Sequence, residues 1–166
     1  KQHAQIFQLL TSGQGPKGLK LIQSHVQQHQ LDAFALAPAC SVFGLIGFSG
    51  RIDREEEQVS LLKPLEKVYG DDWWFLTVYE IGEWKRGRDV VERALEQRPR
   101  SAHTAHVRAH ALYEAGEDHA LANYLQEWLP DYSSDCPLSC HVWWHLCLAK
   151  LMIGEHYSVF KGLPAR

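Results

Sequence analysis

Five glycines set the rhythm of this chain. Gly13, Gly50, Gly82, Gly116 and Gly154 each close one stretch of helical pattern just before another opens, at separations of 37, 32, 34 and 38 residues. Between them apolar side chains recur three and four apart. Leu19, Ile22 and Val26 form one stripe, Val59, Leu62, Leu65 and Val68 a second, Val90, Val91, Ala94 and Leu95 a third, and Leu121, Tyr124, Leu125 and Trp128 a fourth. That is the period of one helix face, and no segment reads as a strand. The pattern predicts helices over 2–12, 16–30, 33–49, 52–69, 71–81, 84–98, 101–115, 117–129, 138–153 and 155–163. Pro64 falls inside the fourth and should kink or divide it. The stretch from Pro130 to Pro137, rich in turn formers, reads as a loop. Short helices on such a period imply an all-α stack of helical hairpins.

A helical period near 34 with a glycine at each hairpin turn resembles the tetratricopeptide repeat. The stretch from Asp71 to Pro99 matches it best: Gly82 turns the hairpin, Trp84 follows, Ala94 packs the second helix and Pro99 ends the unit. Gly18 and Gly87 lie five residues after a turn glycine, where that repeat needs a small residue for its two helices to approach. The resemblance implies a right-handed α-solenoid of about five antiparallel hairpins forming a single repeat domain over 1–166. The chain opens on Lys1 and its one methionine is Met152, so it is expected to be a fragment of a longer repeat protein.

Composition removes several function classes. Lys plus Arg is 17 against 20 Asp plus Glu, a net charge of -3, which offers no basic footprint for nucleic acid. No apolar run approaches the ~18 residues that span a bilayer, so no membrane partner is expected. The four cysteines, Cys40, Cys136, Cys140 and Cys147, have neither zinc-ribbon spacing nor the density of a disulfide scaffold. Free thiols and a cytoplasmic setting are the expectation. No glycine-rich phosphate loop follows a strand, no Gly-x-Ser-x-Gly elbow is present, and Cys140 adjoins His141 in sequence and so faces away from it on a helix. No catalytic motif emerges, and the enzyme question stays open on the side of no.

Ten histidines and six tryptophans are unusual for this length. The run Ser101-Ala-His-Thr-Ala-His-Val-Arg-Ala-His-Ala-Leu-Tyr-Glu114 and the run Leu138-Ser-Cys-His-Val-Trp-Trp-His-Leu-Cys-Leu148 resemble the tetratricopeptide repeat protein 38 family, which carries His-x-x-Ala-His with a following Glu and, one repeat on, His-x-x-Trp-His. The likeness extends over about 16–161, its specific part over 101–148. This chain is much shorter than a full member, and the resemblance implies fold and site more than activity.

His106 and His110 are four apart, as are His141 and His145, so each pair shares one helix face. First helices of successive hairpins line the concave wall of a tetratricopeptide stack. A groove is therefore expected to gather His103, His106, His110 and Glu114 from one helix and His141, Trp144 and His145 from its neighbour, with Tyr69, Asp72 and Trp73 entering from the preceding repeat. Three readings follow. In the first, the histidines and tryptophans simply fill and satisfy a helix interface. In the second, they line a pocket for a peptide, a protein partner or a small ligand. In the third, the imidazoles chelate zinc, with Glu114 or Cys140 completing the set, or perform acid–base chemistry. The binding scaffold is the leading expectation and the zinc or enzyme reading its alternative. Apart from zinc, no cofactor is called for.

Overall fold

The computed structural model describes residues 1–40, 43–80 and 88–156, and these form helices joined by turns and loops, with no strand among them. Among the described residues ten α-helices follow in order: α1 (Gln2–Thr11), α2 (Gly15–Gln28), α3 (Ala33–Cys40), α4 (Arg54–Leu62), α5 (Glu66–Tyr69), α6 (Trp73–Glu80), α7 (Arg88–Gln97), α8 (Ala102–Glu114), α9 (Asp118–Trp128) and α10 (Ser139–Met152). Backbone contacts divide the chain into two compact units, Lys1–Glu83 and Trp84–Arg166. No described helix is long and apolar enough to cross a membrane.

The turn glycines act as helix stops. Gly13, Gly116 and Gly154 have φ of 74°, 71° and 81°, the left-handed region that glycine enters at no steric cost. After each, the next amide reaches back to the same helix: Gln14 N–H donates to Leu9 O (2.9 Å), Glu117 to Leu112 (2.9 Å) and Glu155 to Lys150 (2.8 Å). These are three copies of one Schellman cap, each satisfying helix-end carbonyls. Gly82, Trp84 and Gly87 lie outside the described residues, as does most of the expected helix over 155–163.

In the first unit Ile6 of α1 and Ile22 and Val26 of α2 join Leu36, Ala39 and Cys40 of α3, Leu62, Phe75 and Val78 in one core. α1 packs on α2 and α2 on α3. A Cβ on Gly18 would stand 2.7 Å from Leu10 Cδ2, so a side chain there would force the Leu10 side chain to move at the α1–α2 contact. Two expected helices end differently from the periodicity. The helix over 52–69 divides at Pro64 into α4, a 3-10 turn over Lys63–Leu65 and α5. Of the helix over 33–49, α3 covers Ala33–Cys40, residues 41 and 42 lie outside the described residues, and 43–46 are not helical. The Leu45 and Ile46 amides donate to the Pro38 and Ala39 carbonyls, and a 3-10 turn follows over Gly47–Ser49.

In the second unit α7 packs on α8, α8 on α9, and α9 most extensively on α10, while α8 also touches α10 directly. Val91, Ala94, Ala105, Ala109, Leu112, Leu121, Leu125, Val142, Leu146 and Ala149 are buried among these helices. Ser101 caps α8 by accepting the Thr104 amide. At the α7–α8 corner Trp128 Nε1–H donates to Pro99 O (2.9 Å), while Arg100 donates to Trp128 O (2.9 Å) and lies 4.5 Å over the indole. The loop before α10 ends at Leu138, which has φ 66° although it is not glycine and is buried.

Candidate functional site

α8 carries His106 and His110 one turn apart, α10 carries His141 and His145 likewise, and the direct α8–α10 contact turns the two pairs toward each other. His106 Nε2 lies 2.8 Å from His141 Nε2 and 3.0 Å from His110 Nε2, and His145 Nε2 lies 3.3 Å from His141 Nε2. One ring nitrogen from each of the four falls within 4.8 Å of all the others. His106 and His145 are buried and His110 and His141 exposed, so the set has a dry side and a wet one.

Hydrogen bonding alone leaves this set short. A neutral imidazole has one N–H and one lone pair. The contacts run His110–His106–His141–His145, so the Nε2 atoms of His106 and His141 must each serve two neighbours with a single hydrogen or lone pair. His106 Nδ1 is also buried without a partner among the described residues. Adding a proton is no remedy. Burial first, then the neighbouring imidazoles, holds His106 down to about 2 and His145 down to about 3, from an ordinary 6.5. His110 and His141 are lowered too, by burial first, with Glu114 pulling His110 back upward. Four neutral imidazoles with ring nitrogens gathered within 4.8 Å are a set of donors that suits a transition metal.

The other expected residues divide into those near this set and those elsewhere. Trp144 is 52% exposed, stacked 5.7 Å from His141 and edge-on 5.2 Å from His145. Its neighbour Trp143 is half-buried. His103 stands a turn earlier on α8, exposed, close enough for its charge to act on His106. Glu114 is exposed and lines a cleft of about 260 Å³ with Arg88, Glu92 and Arg108. Neither Glu114 nor Cys140 supplies a donor to the histidine set. All four cysteines are free, and burial raises Cys40 to about 12.

Tyr69, Asp72 and Trp73 belong to the first unit. Tyr69 stacks on Phe75 at 4.6 Å with its buried hydroxyl unpartnered among the described residues, and burial raises it to about 12. Asp72 accepts the Phe75 amide (2.9 Å), and Trp73 opens α6 half-buried. The same four-residue spacing occurs at His25, in α2, and His29, just past its end, to which sequence reasoning assigns nothing. There the structure sets His25 beside Asp32, seven residues on, and His3, far away in sequence. Compared with known proteins, the chain matches no family model, no curated protein and no solved structure.

Proposed function

We propose that this chain is a tetratricopeptide-like scaffold that holds a transition-metal ion between α8 and α10 through His106, His110, His141 and His145. The observation that carries the reading is the meeting of four imidazole nitrogens, 2.8–3.3 Å apart along the set, with too few hydrogens and lone pairs to satisfy one another. Ligands of a tetrahedral zinc at ~2.0–2.1 Å stand ~3.3 Å apart, within a small side-chain adjustment of these separations. The lowered proton affinities favour the same outcome, because a metal competes with protons for each nitrogen. The ion would take the lone pairs of all four Nδ1–H tautomers. Four imidazoles complete a tetrahedron, so this is a structural or binding centre; hydrolysis would require one ligand to leave. The resemblance to the tetratricopeptide repeat protein 38 family rests on these two helices and supports the repeat arrangement, in which α8 and α10 are successive first helices.

A partner-binding role adds to this reading through one feature, Trp144. Its half-exposed indole beside His141 offers a stacking surface next to the site for a peptide side chain or small ligand.

The test is elemental analysis of protein purified without added chelator, followed by cobalt(II) titration of the stripped protein. The intense visible bands of a tetrahedral cobalt centre are expected, and they should be lost when His110 and His141 are both replaced by Ala. Metal-free protein that gives no such bands would remove the proposal.

A further inference from the structure

The first unit contains a separate constellation of ligating atoms. His3 sits in the first turn of α1, His25 near the end of α2, and Asp32 just before α3. His3 Nε2 is 2.6 Å and His25 Nε2 2.8 Å from one oxygen, Asp32 Oδ2. The other oxygen, Oδ1, accepts the Ala35 amide at 3.0 Å, which fixes the carboxylate. On its far side His25 Nδ1 lies 2.6 Å from Gln2 Oε1.

His25 therefore meets an oxygen at both ring nitrogens while buried. Neutral, it has only one hydrogen to give. A cation among His3 Nε2, His25 Nε2 and Asp32 Oδ2 gives every atom a conventional partner: His25 Nδ1–H donates to Gln2 Oε1, its Nε2 lone pair faces the ion, and Asp32 stays anchored by Ala35. A metal-bound histidine whose second nitrogen donates to a fixed oxygen is the usual supporting arrangement. Adjacent ligands at ~2.0–2.2 Å from a metal stand about 3 Å apart, close to the separations here. His3 is 45% exposed, and the three atoms open on a cleft of about 970 Å³ that His29, with its ring 4.6 Å from His25, also lines. Two imidazoles and one carboxylate, with an open side, leave coordination positions for exogenous oxygen ligands.

We propose that His3, His25 and Asp32 form a second, open site for a divalent transition-metal ion, its remaining positions taken by water or an anionic oxygen ligand from the cleft. Gln2 is its positioning residue. This site is independent of the four-histidine centre and differs from it in having a carboxylate and free positions.

Cobalt(II) alone is the probe, titrated into the chelator-stripped full chain and followed by calorimetry and visible absorption, with circular dichroism checking the fold of each variant. Wild type should bind two ions, one giving intense tetrahedral bands and one the weaker bands of a higher-coordinate ion. His3→Ala, at an exposed position, should lose the weak-band ion and keep the intense one. The double variant His110→Ala/His141→Ala should do the reverse. Gln2→Leu should weaken the weak-band ion by about 10–100-fold, the cost of removing a supporting hydrogen bond. In wild type, cobalt should also shift and broaden the His3 ring proton signals, a reading that needs no substitution. If His3→Ala binds as wild type does, or the double variant binds nothing, this site is refuted while the four-histidine centre stands. Loss of only the intense bands from the scheme would refute that centre and leave this one.

Discussion

Acidifying the metal-free protein should destabilise the second unit, for a reason that can be worked from two side chains. His106 and His145 are 7% and 4% exposed, and burial, reinforced by neighbouring imidazoles, lowers them to about 2 and about 3. In the unfolded chain each returns to about 6.5. The unfolded state therefore binds more protons at every pH below 6.5. Stability is fully present above that value, begins to fall as pH drops through it, and keeps falling until the folded values are reached. While the folded imidazoles stay neutral, each contributes a slope approaching ~1.4 kcal/mol per pH unit. Integrated from pH 7 to pH 5 this is roughly 2 kcal/mol per histidine, or about 4 kcal/mol for the two. His110 and His141 are exposed and add little after solvent screening. Urea unfolding with chelator present at pH 7 and pH 5, followed by far-ultraviolet circular dichroism, reads the difference directly. His106→Asn should cut the pH dependence to about half. A wild-type loss below ~1 kcal/mol would show that the two imidazoles do not stay neutral as argued.

Gly18→Leu should lower the melting temperature of the first unit through overpacking worth about 1–3 kcal/mol, because even a Cβ would stand 2.7 Å from Leu10 Cδ2. An unchanged calorimetric melt would count against the α1–α2 contact. Thiol alkylation followed by mass spectrometry should label Cys136 and Cys140 in the native protein and Cys40 only after unfolding, for four thiols in all without reductant. A molecule that takes up fewer than four would contain a bridge that the structure lacks.

Much of the architecture was legible because it depends on local chemistry. A glycine that ends a helix is visible as the last small residue before a new apolar stripe, and Gly13, Gly116 and Gly154 occupy that place with one shared cap geometry. Pro64 splits its helix because its ring and missing N–H act within one turn. The pairing of His106 with His110, and of His141 with His145, follows from helix pitch alone. What periodicity cannot supply is closure over distance. His25 meets Asp32 across the short α2–α3 link, and only the packing of α1 against α2 brings His3 to the same oxygen. Nor does spacing choose rotamers: Glu114 shares the His110 face in sequence, yet it lines another cleft and adds no donor to the set. The helix expected over 33–49 failed for a related reason. Its apolar run was long enough, but the Pro38 and Ala39 carbonyls are claimed by the returning Leu45 and Ile46 amides.

The corner formed by Pro99, Arg100 and Trp128 bears on how this unit breathes. The α7–α8 turn and the end of α9 hold each other by two hydrogen bonds in opposite directions, Trp128 to Pro99 and Arg100 to Trp128. Neither end can fray by itself, since unwinding the last turn of α9 strands a buried indole N–H and frees the turn that starts α8. Local opening here is a joint event of three helices. The amides around it should exchange with solvent on one common, slow timescale, not on the graded timescales of a fraying terminus. His106 and His110 lie on the helix whose start this corner ties down.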